Sequence, residues 1–194
     1  LLPRWVPYYE YFLPAVIKGS TTVVCVSEFT RQEVLERYPS ITEEKLKVIH
    51  GGVDLERFYP RSQGIISERY DIKEYLLCVG EVRPYKNLEN VFRALELSPN
   101  GPQLAISGKI FGEHTKKLED LARSLNIENR IVWLGYVPDD LLPNLYSEAT
   151  AFIFPSLYEG FGLPIIEAMA CGCPVISSNR ASLPEIGGEA ALFF

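Results

Sequence analysis

From about residue 75 onward the chain repeats one pattern: a short apolar run, a turn, then a stretch with apolar residues at helical spacing. Leu76-Leu77-Cys78-Val79-Gly80 predicts a first strand, and behind Asn87 as a candidate cap, Leu88, Val91, Phe92 and Leu95 fall at i, i+3, i+4 and i+7. Leu104-Ala105-Ile106-Ser107-Gly108 predicts the next strand, ahead of a helix carrying Leu118, Leu121, Ala122 and Leu125 on one face. A third strand, Ile131-Val132-Trp133-Leu134-Gly135, leads to Asp139 and Asp140 as cap candidates for a helix with Leu141, Leu142, Leu145 and Tyr146; Pro143 is tolerable in its first turn. Thr150-Ala151-Phe152-Ile153-Phe154-Pro155 is the fourth strand, a helix begins near Pro164, and Pro174-Val175-Ile176-Ser177 is the fifth strand. Strands apolar on both faces belong in the middle of a parallel sheet covered by helices on both sides.

The first 60 residues differ. Residues 21–26 read as a strand, Ser27 as the cap of a helix through Tyr38, and Leu46-Lys47-Val48-Ile49 as another strand ending at Gly51-Gly52. A strand, a helix and a strand are too little for an independent core. The expected organisation is therefore 1–54 as closing elements of an N-terminal domain, 55–74 as an interdomain linker without sustained periodicity, and 75–194 as a C-terminal domain truncated at its end.

Composition narrows the classes. With 194 residues, 47% of them hydrophobic, the chain can bury a core without disulfide or metal staples. Its 19 basic against 25 acidic residues give a net charge of −6, and without a basic run this excludes a nucleic-acid polymer as partner. No apolar stretch approaches the roughly 18 residues of a membrane span, and the start lacks a signal-peptide pattern, so a cytoplasmic protein is expected. The aromatic opening, Trp5, Tyr8, Tyr9, Tyr11 and Phe12, fits packing against the rest of an N-terminal domain, and leaves open peripheral contact with a membrane or lipid-linked acceptor. Cys25 and Cys78 sit in apolar runs as small buried hydrophobes. Cys171 and Cys173 lack the two further ligands of a zinc site, since His50 and His114 each stand alone; no metal is expected.

The most informative string is Pro155-Ser156-Leu157-Tyr158-Glu159-Gly160-Phe161-Gly162-Leu163-Pro164-Ile165-Ile166-Glu167-Ala168-Met169, at the carboxyl end of a buried strand and leading into a helix. Its glycines let the backbone turn sharply, and Pro164 suits the first helical position, so exposed amides and the positive end of the helix dipole face the loop. Glu159 and Glu167 bracket that loop, and ionised carboxylates accept from paired hydroxyls such as those of sugar or ribose. Taken alone, the same residues also fit a dipole-complementing acid and a plain chain turn.

The string resembles the E-x7-E motif of the retaining glycosyltransferases of family 4, or glycosyltransferases group 1. The resemblance extends to Val24-Cys25-Val26-Ser27-Glu28-Phe29, to Ile49-His50-Gly51-Gly52-Val53-Asp54 with Phe58 and Pro60, to 80–87, to Trp133-Leu134-Gly135-Tyr136-Val137 and to Ala170-Cys171-Gly172-Cys173-Pro174-Val175-Ile176. It implies the α/β GT-B fold, with this chain supplying a nearly complete Rossmann-like C-terminal donor-binding domain and the tail of the N-terminal one. By the same resemblance, Glu159 would hold donor-sugar hydroxyls and Glu167 the ribose. Amides from Gly160, Phe161, Gly162 and Leu163 would face the sugar and phosphates, Lys86 would neutralise the diphosphate, Gly80 would line the donor site, and Tyr136 and Val137 would border the base. Where the family often has Arg after the glycine matching Gly80, this chain has Glu81; Arg83, two residues on, is the candidate replacement if the strand continues. Gly51 stands where the family usually has Asn.

The implied activity is hexose transfer from a nucleoside diphosphate sugar to a glycan or lipid-linked hydroxyl, with retention and without metal or other cofactor. Similarity to mannosyltransferases of polysaccharide assembly leans toward GDP-mannose, with UDP-sugars next. The alternative is a nucleotide-sugar binding module without turnover.

Overall fold

The computed structural model describes residues 6, 8–62, 64–110 and 112–194, in two compact units, Leu1–Gly51 and Gly52–Phe194. In the first, a helical turn over Tyr8–Phe12 and α1 (Leu13–Gly19) precede β1 (Val23–Cys25), α2 (Glu28–Arg37) and β2 (Leu46–Val48), with β1 and β2 parallel. Ile17, Cys25, Ile41 and Leu46 form a small core. Ser27 caps α2 as expected, its Oγ accepting the Thr30 N–H at 3.0 Å. Of the aromatic opening, Tyr11 and Phe12 are exposed, and Trp5 lies outside the described residues.

The second unit contains α3 (Ile65–Tyr70), β3 (Tyr75–Val79), α4 (Leu88–Glu96), β4 (Gln103–Ser107), α5 (Glu113–Ser124), β5 (Ile131–Gly135), α6 (Leu142–Glu148), β6 (Ala151–Phe154), α7 (Leu163–Ala170), β7 (Val175–Ser177), α8 (Leu183–Gly187) and β8 (Ala191–Phe193). Its six strands are all parallel in the order β5-β4-β3-β6-β7-β8. Successive side chains on a strand face opposite ways, and the buried residues sort accordingly into two cores. Tyr75, Leu77, Ala105, Phe152 and Phe154 pack with residues of α3, α6 and α7 such as Ile66, Leu145 and Ile165. Cys78, Leu104, Ile106 and Ile153 pack with residues of α4 and α5 such as Phe92 and Leu118.

Several expectations are corrected. Residues 55–74 are no linker: Phe58, Ile66 and Ile72 are buried in the same core as Tyr75 and Phe152, and the unit boundary falls at Gly51 and Gly52. A helix as short as α3 displays no period, and its cap comes from far away, the Glu148 carboxylate accepting the N–H groups of Ile66 at 3.0 Å and Ser67 at 3.2 Å. Residues 191–193 form the sixth strand, paired with β7, where the sequence reads only as an apolar run. Asn87 precedes α4 in the left-handed region without capping it by its side chain, and Leu141, not Asp139 or Asp140, precedes α6. Asn87 is occupied elsewhere: its Nδ2 donates to the Pro155 carbonyl at 3.2 Å.

Candidate functional site

The strand order runs one way from β3 through β4 to β5 and the other way from β6 through β7 to β8. At such a reversal the loops leaving the two central strands diverge to opposite faces and open a crevice at their carboxyl ends. Lys86 comes from the turn after β3 and Glu159 from the loop after β6, 73 positions apart, and here they meet: Nζ lies 2.6 Å from Oε1, with side chains only 15% and 18% exposed. The turn and the loop are stitched together, since the Leu157 N–H donates to the Tyr85 carbonyl at 2.8 Å and Asn87 reaches Pro155. The ammonium also stands 4.7 Å from the centre of the Phe154 ring, a cation over an aromatic face at the end of β6.

Gly80 floors the crevice, where a Cβ would approach Lys86 Nζ to 3.5 Å. Beside it, a Cβ at Gly108 would stand 2.1 Å from the Gly80 carbonyl oxygen, so the ends of β3 and β4 approach this closely only because residue 108 has no side chain.

The loop from β6 ends at Gly162, whose φ of +114° suits glycine, and α7 starts at Leu163; Pro164 is thus its second residue rather than its first. Pro164 has no N–H, and the Ile165 N–H is taken by the Gly162 carbonyl at 2.9 Å. Of the first turn, the amides of Gly162 and Leu163 are therefore the ones placed to meet an anion.

Glu167, one turn into α7, accepts from the Tyr146 hydroxyl at 2.9 Å. Burial pushes its carboxyl above the usual carboxylate range; the Tyr146 hydrogen bond and the Arg57 charge pull it back, and Asp139 adds to the rise. Arg57 is held in turn by Asp139, donating to its carbonyl at 2.8 Å. Tyr146 is wholly buried and, among the α6 residues, reads in sequence as one more member of an apolar stripe. A buried tyrosine hydroxyl nonetheless needs a partner, and that requirement is the one signal in sequence that Tyr146 serves a polar group. Arg57 carries no such signal, because it lies in the stretch read as a linker.

Two expected residues are placed otherwise. β3 ends at Val79, so Arg83 does not share a strand face with residue 81; its guanidinium pairs with the Glu81 carboxylate at 2.8 Å, both substantially exposed. Val137 is buried in the core at 4% exposure, leaving Tyr136, at 74%, as the member of that pair that presents a side chain outward.

The family profile described as "Glycosyl transferases group 1" matches residues 65–191, and one described as "Glycosyltransferase Family 4" matches residues 1–57. The O-antigen chain mannosyltransferase B of Escherichia coli is 36% identical over 96% of this chain and 51% of its own. The O-antigen chain mannosyltransferase RfbU of Salmonella typhimurium is 28% identical over 96% of this chain and 50% of its own. The chain thus spans about half the length of these relatives. Among solved structures, sucrose-phosphate synthase from Thermosynechococcus elongatus matches with a TM-score of 0.81 at 28% identity, over 93% of this chain and 47% of its own. Anabaena HepE, solved with UDP and glucose, shares the fold with a TM-score of 0.84 at 23% identity, over 95% of this chain and 52% of its own. The helix-covered parallel sheet of the second unit is the Rossmann-like domain of the GT-B type.

Proposed function

The chain belongs to the glycosyl transferases group 1 family, and from that premise we propose that it is the donor-binding half of a retaining glycosyltransferase that moves a hexose from a nucleoside diphosphate sugar to a glycan or lipid-linked hydroxyl. The observation that carries this reading is the meeting of Lys86 and Glu159 at the reversal of strand order, beside the start of α7. The mannosyltransferase relatives support mannose as the sugar and GDP-mannose as the first donor to test, with UDP-sugars next.

In this proposal Glu159 accepts from hydroxyls of the sugar, Glu167 accepts from the ribose, and the amides of Gly162 and Leu163 meet the phosphates. The bond from the anomeric carbon to the phosphate oxygen breaks while the acceptor oxygen bonds to that carbon on the same face. The acceptor proton passes to the departing phosphate, so no protein nucleophile or metal is required. Negative charge grows on the leaving diphosphate, and Lys86, already positioned by Phe154 and Glu159, stabilises it where it develops. Tyr136 stands outward toward the base.

Calorimetry with GDP-mannose and UDP-glucose, followed by a transfer assay with the anomeric configuration of the product read by NMR, tests the proposal. The expected result is binding of at least one donor and a retained product. An inverted product overturns retention, and binding without turnover, in a chain joined to the remainder of its enzyme, overturns the transferase reading in favour of a binding module.

A further inference from the structure

Ser182 precedes α8 in the place of a helix cap, yet its side chain makes no bond to that helix. Its hydroxyl, in a wholly buried residue, lies instead 3.0 Å from the carbonyl oxygen of Glu159 and 2.8 Å from that of Phe161. One O–H proton thus serves two acceptors, both on the loop between β6 and α7. The next residue backs the same loop: a Cβ at Gly162 would come within 3.0 Å of Leu183 Cδ2. Residues 182 and 183 are the wall against which the loop is set.

Across a trans peptide the carbonyl oxygen and the following N–H point in opposite directions. Drawing the Glu159 and Phe161 carbonyls toward Ser182 fixes the two peptide planes that flank Gly160 and Phe161, and turns the Gly162 N–H to the side away from the serine. The same hold sets the backbone from which the Glu159 side chain reaches Lys86.

We propose that Ser182 is a positioning residue for the sugar and phosphate part of the site: it aims Glu159 and the Gly162 amide without itself touching a ligand. The inference rests on the donor-binding role given to Glu159 above. It separates the two ends of the site, because Glu167, on the following helix, takes its hydrogen bond from Tyr146 and not from this wall.

The test compares Ser182→Ala with the parent chain in two ways. Amide hydrogen exchange over residues 159–163 reads the loop with no ligand needed, and calorimetry with GDP-mannose, UDP-glucose, GDP and UDP reads the two ends of the site. Losing one shared hydrogen bond is expected to speed exchange in 159–163 about tenfold, with α4 and β4 unchanged, and to weaken the bound nucleotide sugar about tenfold; the free nucleotide, which shares the Gly162 amide but offers no sugar to Glu159, weakens less, by about threefold. Unchanged exchange in the loop overturns the inference, as does acceleration spread equally over the whole unit, which marks plain destabilisation. Equal weakening of nucleotide sugar and nucleotide overturns it too. If the parent chain binds none of the four probes, the donor reading falls, and the exchange comparison still decides whether Ser182 holds the loop.

Discussion

Lys86 and Glu159 share a mostly buried contact, so removing either charge leaves the other poorly solvated. Lys86→Ala is expected to abolish measurable nucleotide-sugar binding and to lower the unfolding free energy by about 3 kcal/mol, read by calorimetry and urea denaturation. Arg83→Ala breaks an exposed pair with Glu81 and should change stability by less than about 0.5 kcal/mol. If donor affinity is also unchanged, Arg83 is a surface residue and the charge lost at Glu81 is not replaced from there. Glu167 gives a pH signature. Its carboxyl is held above the usual range chiefly by burial, and the ionised form accepts from hydroxyls through both oxygens and more strongly than the protonated acid, one of whose oxygens carries a hydrogen. Nucleotide affinity is therefore full above that raised value and falls as pH drops through it, at a higher pH than for an ordinary glutamate. Tyr146→Phe deletes a donor that favours the carboxylate, so the midpoint should move further upward in titrations of GDP or UDP between about pH 4.5 and 8. A midpoint that stays put would falsify the assignment of Glu167 to the nucleotide.

The elements that build the site depend on backbones coming unusually close, and the two critical glycines differ in what a methyl group would strike. At Gly108 the obstacle is the Gly80 carbonyl oxygen, 2.1 Å from the added Cβ, which cannot move without parting β3 from β4. Gly108→Ala should cost more than about 4 kcal/mol, or prevent folding, by urea denaturation or yield of folded protein. At Gly162 the nearest atom is the end of the buried Leu183 side chain at 3.0 Å, so the strain is shared between that wall and a φ of +114°, and Gly162→Ala should cost about 2–3 kcal/mol, less than at Gly108. The strands and the longer helices were legible in sequence, because the two-residue and 3.6-residue periods are local properties of the chain. The caps were not. Asn87 and Asp139 have the right chemistry to cap a helix, but Asn87 is committed to Pro155, and Asp139 lies beside Arg57 and Tyr136 before a helix that begins three residues later.

At the scale of the molecule, the second unit begins at Gly52. A fragment of residues 52–194 is expected to show a single cooperative thermal transition by circular dichroism, whereas 75–194, which the linker reading would take as the domain, should not. The shorter fragment loses the buried side chains of Phe58, Ile66 and Ile72, at about 1.5–3 kcal/mol each, a sum comparable with the roughly 5–15 kcal/mol that holds a domain folded. No helix among the described residues is long and apolar enough to cross a membrane. By itself the sequence determined which segments alternate between strand and helix, and it placed Glu159, Glu167 and the glycines in one string at a strand end. Its resemblance to a family added Lys86 as their partner. The tertiary structure decided that β3 and β6 are neighbours, that Lys86 and Glu159 therefore meet, that Arg83 turns to Glu81, and that Tyr146 and Ser182 support what the string presents. A hydrophobic period records which face of a segment is buried, but the face it is buried against, and the donor each polar group finds there, come from contacts between residues dozens of positions apart.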